Sequence, residues 1–327
     1  MSASSIQCAL RALVAALAGF VTLALAAEPA LCIVVASSAG GPADLLARLF
    51  RESVVTNSGL SASVENRPGA SGTIAAQAVA SGSTNATTVL VAGIGPTVAA
   101  PYLLPSLRYR PAEDLRPVTL LATSSMALVV SAAGNLRSVA DLVAHAKKRV
   151  EVPVLYAASG PGTANQLCAQ ELARGAMFQA QSVPFQGDVQ AQVSVASGDV
   201  TFMFMAPSVA IPLERAGRVR ILATSGRTRA PRLHQVPTLK ESGLPGVECL
   251  AWTMVFAPSG TRDETVADLA RAWQSSLADP RMRAAIQAAG FEVPASASTS
   301  ETERLLAAER VRLERVLSEQ PPGQGSR

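Results

Sequence analysis

A chain of 327 residues with 49% hydrophobic content is long enough for two domains, each with its own core. Only 16% of residues are charged, and the net +4 comes almost entirely from arginine, the lysines being Lys147, Lys148 and Lys240 alone. With 4% aromatics and cations that are scattered apart from Lys147-Lys148-Arg149, the pattern argues against nucleic-acid binding.

The N-terminus reads as an export signal over residues 1–26. Arg11 supplies a weak positive region, residues 12–25 form an apolar run broken only by Gly19 and Thr22, and Ala24-Leu25-Ala26 fits a small-x-small cleavage site ahead of Ala27. The run is shorter than the ~20 apolar residues that span a bilayer. Beyond it lie Cys32, Cys168 and Cys249, an odd number that allows at most one internal bridge. Cys168 with Cys249 is one option, and no spacing rule selects it. Cys32, inside an apolar run, reads as a small hydrophobe. There is no CxxC or Cys/His cluster, and His145 and His234 lie in unrelated contexts, so neither a metal nor a cofactor is expected.

Residues 31–35, Leu-Cys-Ile-Val-Val, predict a strand that runs into Ser37-Ser38-Ala39-Gly40-Gly41-Pro42-Ala43-Asp44 and then a helix carrying Leu45, Leu46 and Leu49. Strand, glycine turn and helix start present unpaired N–H groups and a positive dipole end to an anion. The turn is neither GxxxxGK[ST] nor GxGxxG, so a small carboxylate is the first reading, not a nucleotide. A strand over 62–67, a helix from Ser71 to Ala80, a strand over 88–92 and a turn at Gly93-Ile94-Gly95-Pro96-Thr97 complete a β-α-β-α-β order, which predicts a parallel, doubly wound sheet. Strands are expected over 115–122 and 127–131, and a helix over 139–147. Residues 154–158 then repeat the opening arrangement, entering Ser159-Gly160-Pro161-Gly162-Thr163 and another helix. Strands near 182–185, 200–205, 220–224 and 252–257 follow, with helices over 188–196, 264–278, 280–289 and 301–319. Tyr102, Met177 and Trp273 read as packing residues.

Several of these stretches, in this order, resemble the solute-binding proteins of tripartite tricarboxylate transporters, the Bug-type periplasmic receptors. They are Ala36-Ser37-Ser38-Ala39-Gly40-Gly41-Pro42-Ala43-Asp44, the block from Val64 through Glu65-Asn66-Arg67-Pro68-Gly69-Ala70-Ser71-Gly72 to Ile74, Leu115-Arg116-Pro117-Val118, Tyr156-Ala157-Ala158-Ser159-Gly160, Val183-Pro184-Phe185-Gln186-Gly187, and Val236-Pro237-Thr238-Leu239 onward to Trp252 and Pro258. The resemblance implies an α/β periplasmic binding protein fold of type II-like form, each lobe a doubly wound sheet flanked by helices, with the ligand in the cleft between them. Residues 27–123 with 250–327 would form lobe 1 and residues 124–249 lobe 2. It also implies a monomeric periplasmic receptor, not an enzyme, that closes over a small organic acid and hands it to transporter membrane subunits. A co-receptor role for a two-component sensor kinase is the alternative.

The expected ligand-binding residues are Ala36, Ser37, Ser38, Ala39, Gly40, Gly41, Asp44, Gly95, Thr97, Ser159, Gly160, Thr163, Phe185, Gln186 and Met205. For Asp44 a capping or lobe-bridging role stands beside ligand contact. Gln166 stands where relatives often have histidine, and reads equally as a solvated helix residue. Ala36-Ser37 stands where relatives often carry a Pro-Phe pair, and Met205-Ala206 where they often carry an aspartate. The second departure predicts a ligand without a cationic end. No nucleophile with a base, carboxylate pair or metal cluster is legible, so binding and not turnover is expected.

Overall fold

The computed structural model describes residues 30–82, 87–149, 151–185 and 187–318, so the expected export signal and Gln186 lie outside the described residues. The first strand, β1 (Leu31–Val35), sends Leu31, Ile33 and Val35 into one core with Leu46, Phe50 and Val54, and Val34 into another with Ala75, Ala76 and Val79. Burial on both faces is what a central parallel strand requires. Helix α1 (Pro42–Ser58) opens with proline at its first position. Its core stripe repeats every four residues at Leu46, Phe50 and Val54, and it ends where Gly59, at φ 70°, returns its N–H to the Val55 carbonyl.

After β2 (Ala62–Asn66), helix α2 (Thr73–Ala80) covers the opposite face, and β3 (Thr87–Ala92), β4 (Leu115–Ser125) and β5 (Ala127–Ser131) follow. Then come α3 (Val139–Lys147), capped by Ser138, β6 (Val154–Ala158), α4 (Ala164–Gly175), β7 (Ala180–Pro184), α5 (Asp188–Ser197), β8 (Met203–Met205), α6 (Pro207–Arg215) and β9 (Val219–Thr224). The chain closes with β10 (Leu250–Pro258), α7 (Asp263–Ser276), α8 (Pro280–Ala288) and α9 (Thr299–Ser318).

The first sheet has the order β2-β1-β3-β10-β4, in which β1 is parallel to β2 and β3 while β10 is antiparallel to both β3 and β4. In the second half β5 lies antiparallel between β8 and β9, and β6 pairs in parallel with β7. The two pieces join through Ala157 N–H to the Phe202 carbonyl at 3.1 Å and Thr201 N–H to the Leu155 carbonyl at 2.8 Å. The spatial order β7-β6-β8-β5-β9 repeats that of the first half.

Several expectations need correction. Strands β1, β2 and β3 are parallel as the β-α-β-α-β order predicts, but each full sheet is mixed, because β10 and β5 enter from the other half against that direction. The turn at 93–97 is partly wound into a π-helical segment, Gly95–Ala99, continued by a helical turn, Ala100–Leu103. Helix α6 was not anticipated: it tolerates Pro207 at its first position but carries Pro212 inside, a residue that normally argues against helix. Of the three expected packing residues only Trp273 is buried, whereas Tyr102 is half exposed and Met177, at φ 54°, largely exposed.

Cys168 and Cys249 are bonded, with Cα atoms 5.5 Å apart across 81 residues of sequence, and Cys32 is free. The bridge ties α4 to the entry of β10. One turn further along α4, Glu171 pairs with Arg312 of α9. Arg312 also holds Glu309, with Nε–Oε1 and Nη2–Oε2 both 2.9 Å, and the Trp252 indole N–H donates to Glu309 at 3.2 Å. Burial pushes the Glu171 carboxyl above its ordinary value even with Arg312 beside it.

Reducing the 168–249 bridge should lower the stability of the chain by about 2–4 kcal/mol, given so long a closed loop; urea unfolding with and without dithiothreitol measures it. Arg312→Met should cost about 3–5 kcal/mol by leaving Glu171 buried and unpaired, and the double change Glu171→Leu with Arg312→Met should recover most of that loss. Equal midpoints for the single and double variants would refute a charge-burial origin.

Candidate functional site

The carboxyl ends of β1 and β3 open into loops that the chain holds from beneath. In the first, Asp44 sits on the first turn of α1 with only 2% of its surface exposed. Its carboxylate accepts from the Gly40 amide at 2.8 Å, Asn66 Nδ2 at 3.0 Å and Arg48 Nε at 3.0 Å. Asn66 also donates to the Ser37 carbonyl at 3.1 Å, and Gly40 takes φ 77°. Burial pulls the Asp44 carboxyl upward, but the bonds from Arg48, Gly40 and Asn66 outweigh it and hold it below the usual aspartate value. Of the two roles open to Asp44, these contacts favour organising the loop. The Ser37 hydroxyl oxygen is buried and has no partner among the described residues.

Two further loops close around the first. Ala70 and Ser71 adopt left-handed backbones at φ 46° and 53°, an arrangement costly for residues with a Cβ. Gly72 behind them lies so close to Ala36 and Pro96 that a Cβ would fall 3.0 Å from the Ala36 Cβ and 3.1 Å from Pro96 Cγ. The Thr97 hydroxyl donates to the Gly93 carbonyl at 2.8 Å and is turned inward, with Thr97 2% exposed.

In the second half, β6 delivers residues 159–163 to the start of α4. Asn165, 5% exposed, is the organiser: its Nδ2 donates to Ser159 Oγ at 2.8 Å, and its Oδ1 lies 2.5 Å from Thr163 Oγ1. Gln166 Oε1 accepts from the Gly162 amide at 2.7 Å, so it is a loop support as well as a helix residue. The hydroxyls of Ser159 and Thr163 are thus engaged by the chain itself. Phe185 lies half-buried with its N–H on the Ala158 carbonyl at 2.8 Å, beside the same strand end. Met205 is 3% exposed and packs with Ala157, Ala191 and Val195 under α5, which leaves Ala206, half-buried at the start of α6, as the outward residue there.

The two halves touch. A Cβ at Gly160 would fall 2.5 Å from Ser71 Oγ, one at Gly162 2.6 Å from the Ala99 Cβ, and one at Gly95 3.8 Å from the Gly162 carbonyl. Elsewhere Gly290 faces the Ser208 amide, and Arg232 Nη1 donates to the Ala288 carbonyl at 2.7 Å. Of the expected residues, the structure brings Ala36 to Gly41, Asp44, Gly95 and Thr97 together on one side and Ser159, Gly160, Thr163 and Phe185 on the other. Sequence reasoning missed Ser71, Asn165 and Asn66. The signal for the two asparagines was an amide within a few residues of a glycine turn; Ser71 had none without coordinates. Among the described residues no group of three or more His, Cys, Asp or Glu could hold a metal ion.

Residues 46–321 match the family described as the tripartite tricarboxylate transporter family receptor. The chain belongs to that family. Among solved structures, it is similar to an R. palustris protein determined with adipate (30% identity, TM-score 0.80, covering 88% of this chain and 96% of that one). It is likewise similar to MatC from Rhodopseudomonas palustris with bound malate (30% identity, TM-score 0.77, covering 88% and 98%). A third similar structure is the periplasmic binding protein BugD (26% identity, TM-score 0.76, covering 88% and 96%). The fold is the two-lobed α/β fold of such receptors.

Asp44→Ala should cost about 1–3 kcal/mol at pH 7, because it removes the acceptor shared by Gly40, Asn66 and Arg48. The folded carboxyl titrates below its unfolded value, so its contribution is present above the ordinary aspartate pKa near ~4 and is lost as pH falls through the lowered folded value. Urea midpoints of wild type and variant should therefore converge as the pH is taken below about 4; a gap that stays constant would contradict this account.

Proposed function

We propose that this receptor is exported to the periplasm after losing residues 1–26. There, as a monomer without a cofactor, it closes residues 27–123 with 250–327 and residues 124–249 over a small organic acid, and it delivers that acid to the membrane subunits of a tripartite transporter. The observation that carries the reading is the pair of glycine turns, at 36–41 and 159–163, each set at a strand's carboxyl end ahead of a helix, in a chain of this family. Relatives solved with adipate and malate support a carboxylate as the ligand.

None of the proposed contact residues is a lysine or an arginine. Recognition then falls to the backbone N–H groups of Ser37, Ser38, Ala39, Gly160 and Thr163, with the Ser37 hydroxyl, which lacks a partner among the described residues, as an added donor. A helix-end contact contributes only about 0.3–1 kcal/mol when exposed, whereas micromolar affinity needs about 8.2 kcal/mol. Water exclusion on closure must supply much of the difference. With Met205 in the core and Ala206 beside it, that wall offers no anion to grip an amino group, which favours simple acids over amino acids.

A thermal-shift panel of mono-, di- and tricarboxylates, aromatic acids, their amides and amino acids tests this. An acid at 100 times its Kd should add about 2.7 kcal/mol of stability, its amide should not, and mass spectrometry should recover the acid unchanged. Tighter binding of amino acids than of the matching simple acids would sink the proposed ligand class, and chemical conversion would sink the binding-only role.

A further inference from the structure

Gly162 is held where no other residue would fit without displacing the opposite half. It takes φ 72°, and a Cβ there would lie 2.6 Å from the Ala99 Cβ and 2.9 Å from Leu103 Cδ1. Ala99 belongs to the π-helical segment after β3 and is fully buried, so it has no room to retreat. The contact is continuous with the core. Leu167, one turn into α4, is 1% exposed and packs in the same apolar cluster as Val98, Ala99 and Tyr109 of the first half, with Ala164 and Leu103 at its margin. Next to it, the strained Ser71 turn sets its hydroxyl against Gly160 and its carbonyl against Gly95. Gly95 and Gly160, both expected to touch ligand, thus have their open sides filled by the same Ser71 turn, which for Gly160 belongs to the opposite half.

We infer that this apolar seam, Ala99 and Leu103 against Gly162 and Leu167, is the closing contact of the receptor. Its fit sets the proportion of closed molecules independently of any residue that touches ligand. The inference rests on the two-lobed receptor reading and adds positioning residues to it. A side chain on either side of the seam props the halves apart, and room made on the other side lets them meet again.

The test is a reciprocal swap, Gly162→Ala alone and together with Ala99→Gly. Spin labels at the exposed positions Leu45 and Val189, in a Cys32→Ser background, report the distance between halves by pulsed electron resonance, without ligand and in 10 mM adipate or malate. Gly162→Ala should lower the short-distance population at least tenfold, and adding Ala99→Gly should restore it to within threefold of wild type. The backbone strain of alanine at φ 72° is the same in both variants, so rescue isolates the steric contact. Leu103→Ala, which alters no backbone, should lower the short-distance population several-fold and serves where Gly162→Ala folds poorly.

An unchanged population in Gly162→Ala, loss without rescue, or no short-distance population in wild type under any condition would overturn the seam. An acid that binds in the thermal panel while the swap has no effect defeats the seam alone. A swap effect with no acid bound defeats the carboxylate reading alone.

Discussion

The antiparallel pairing of β4 with β10 is the constraint on which the rest of the structure depends. The chain crosses between halves twice, once out of β4 at Ser125 and once into β10 at Leu250, and those two residues are paired with each other. A strand that arrives from the other half enters its sheet against the direction of the β-α-β strands, so the fourth strand of each half is antiparallel to the third. The parallel strands of both halves then end on the same side of the crossing, toward each other. Glycine turns at the ends of β1 and β6 face one another for that reason. The disulfide at Cys249 and the Trp252–Glu309–Arg312–Glu171 chain brace the entry of β10, the strand whose position fixes the facing loops.

What the crossing strands bring together is a site with little side-chain chemistry of its own. The hydroxyls of Thr97, Ser159 and Thr163 are each bonded within their own loop, which leaves that of Ser37 as the exception. Both loops are supported alike, by residues on the first turn of the following helix: Asp44 in one, with Asn66 alongside, and Asn165 with Gln166 in the other. A carboxylate serves in the first loop and two amides in the second. A carboxylate can only accept, so it takes donors from Gly40, Asn66 and Arg48, while an amide both accepts and donates and spans Ser159 and Thr163 alone.

This explains which parts were legible in the sequence. The apolar runs of β1, β3, β5 and β6 follow from burial pattern, and their bounds fall within a few residues of expectation, whereas of the leucines named on α1 Leu46 is buried and Leu45 exposed. Positive φ at Gly40, Gly160 and Gly162 agrees with reading those glycines as turn formers. The direction of β10 was not legible, because a strand carries no mark of its orientation. Helix α6 was hidden by Pro212, whose local cost is overridden by burial of Ala210 and Ile211. Met205 is expected at the pocket because it stands where relatives often carry an aspartate. Alternation along β8 decides which face it takes, and that phase is set by pairing with Ala127, 78 positions away.

Ser71 shows the remaining limit most clearly. From sequence it is a small polar residue in a glycine-rich block, interchangeable with its neighbours. In the fold its left-handed backbone is imposed by three contacts from different parts of the chain: Gly72 pressed on Ala36 and Pro96, its carbonyl on Gly95, and its hydroxyl on Gly160. A strained residue persists only where its surroundings over-determine it, and one of these contacts, Gly160, belongs to the other lobe. The strain at 70–71 is therefore balanced mostly within the first half, with the Gly160 contact added where the halves meet.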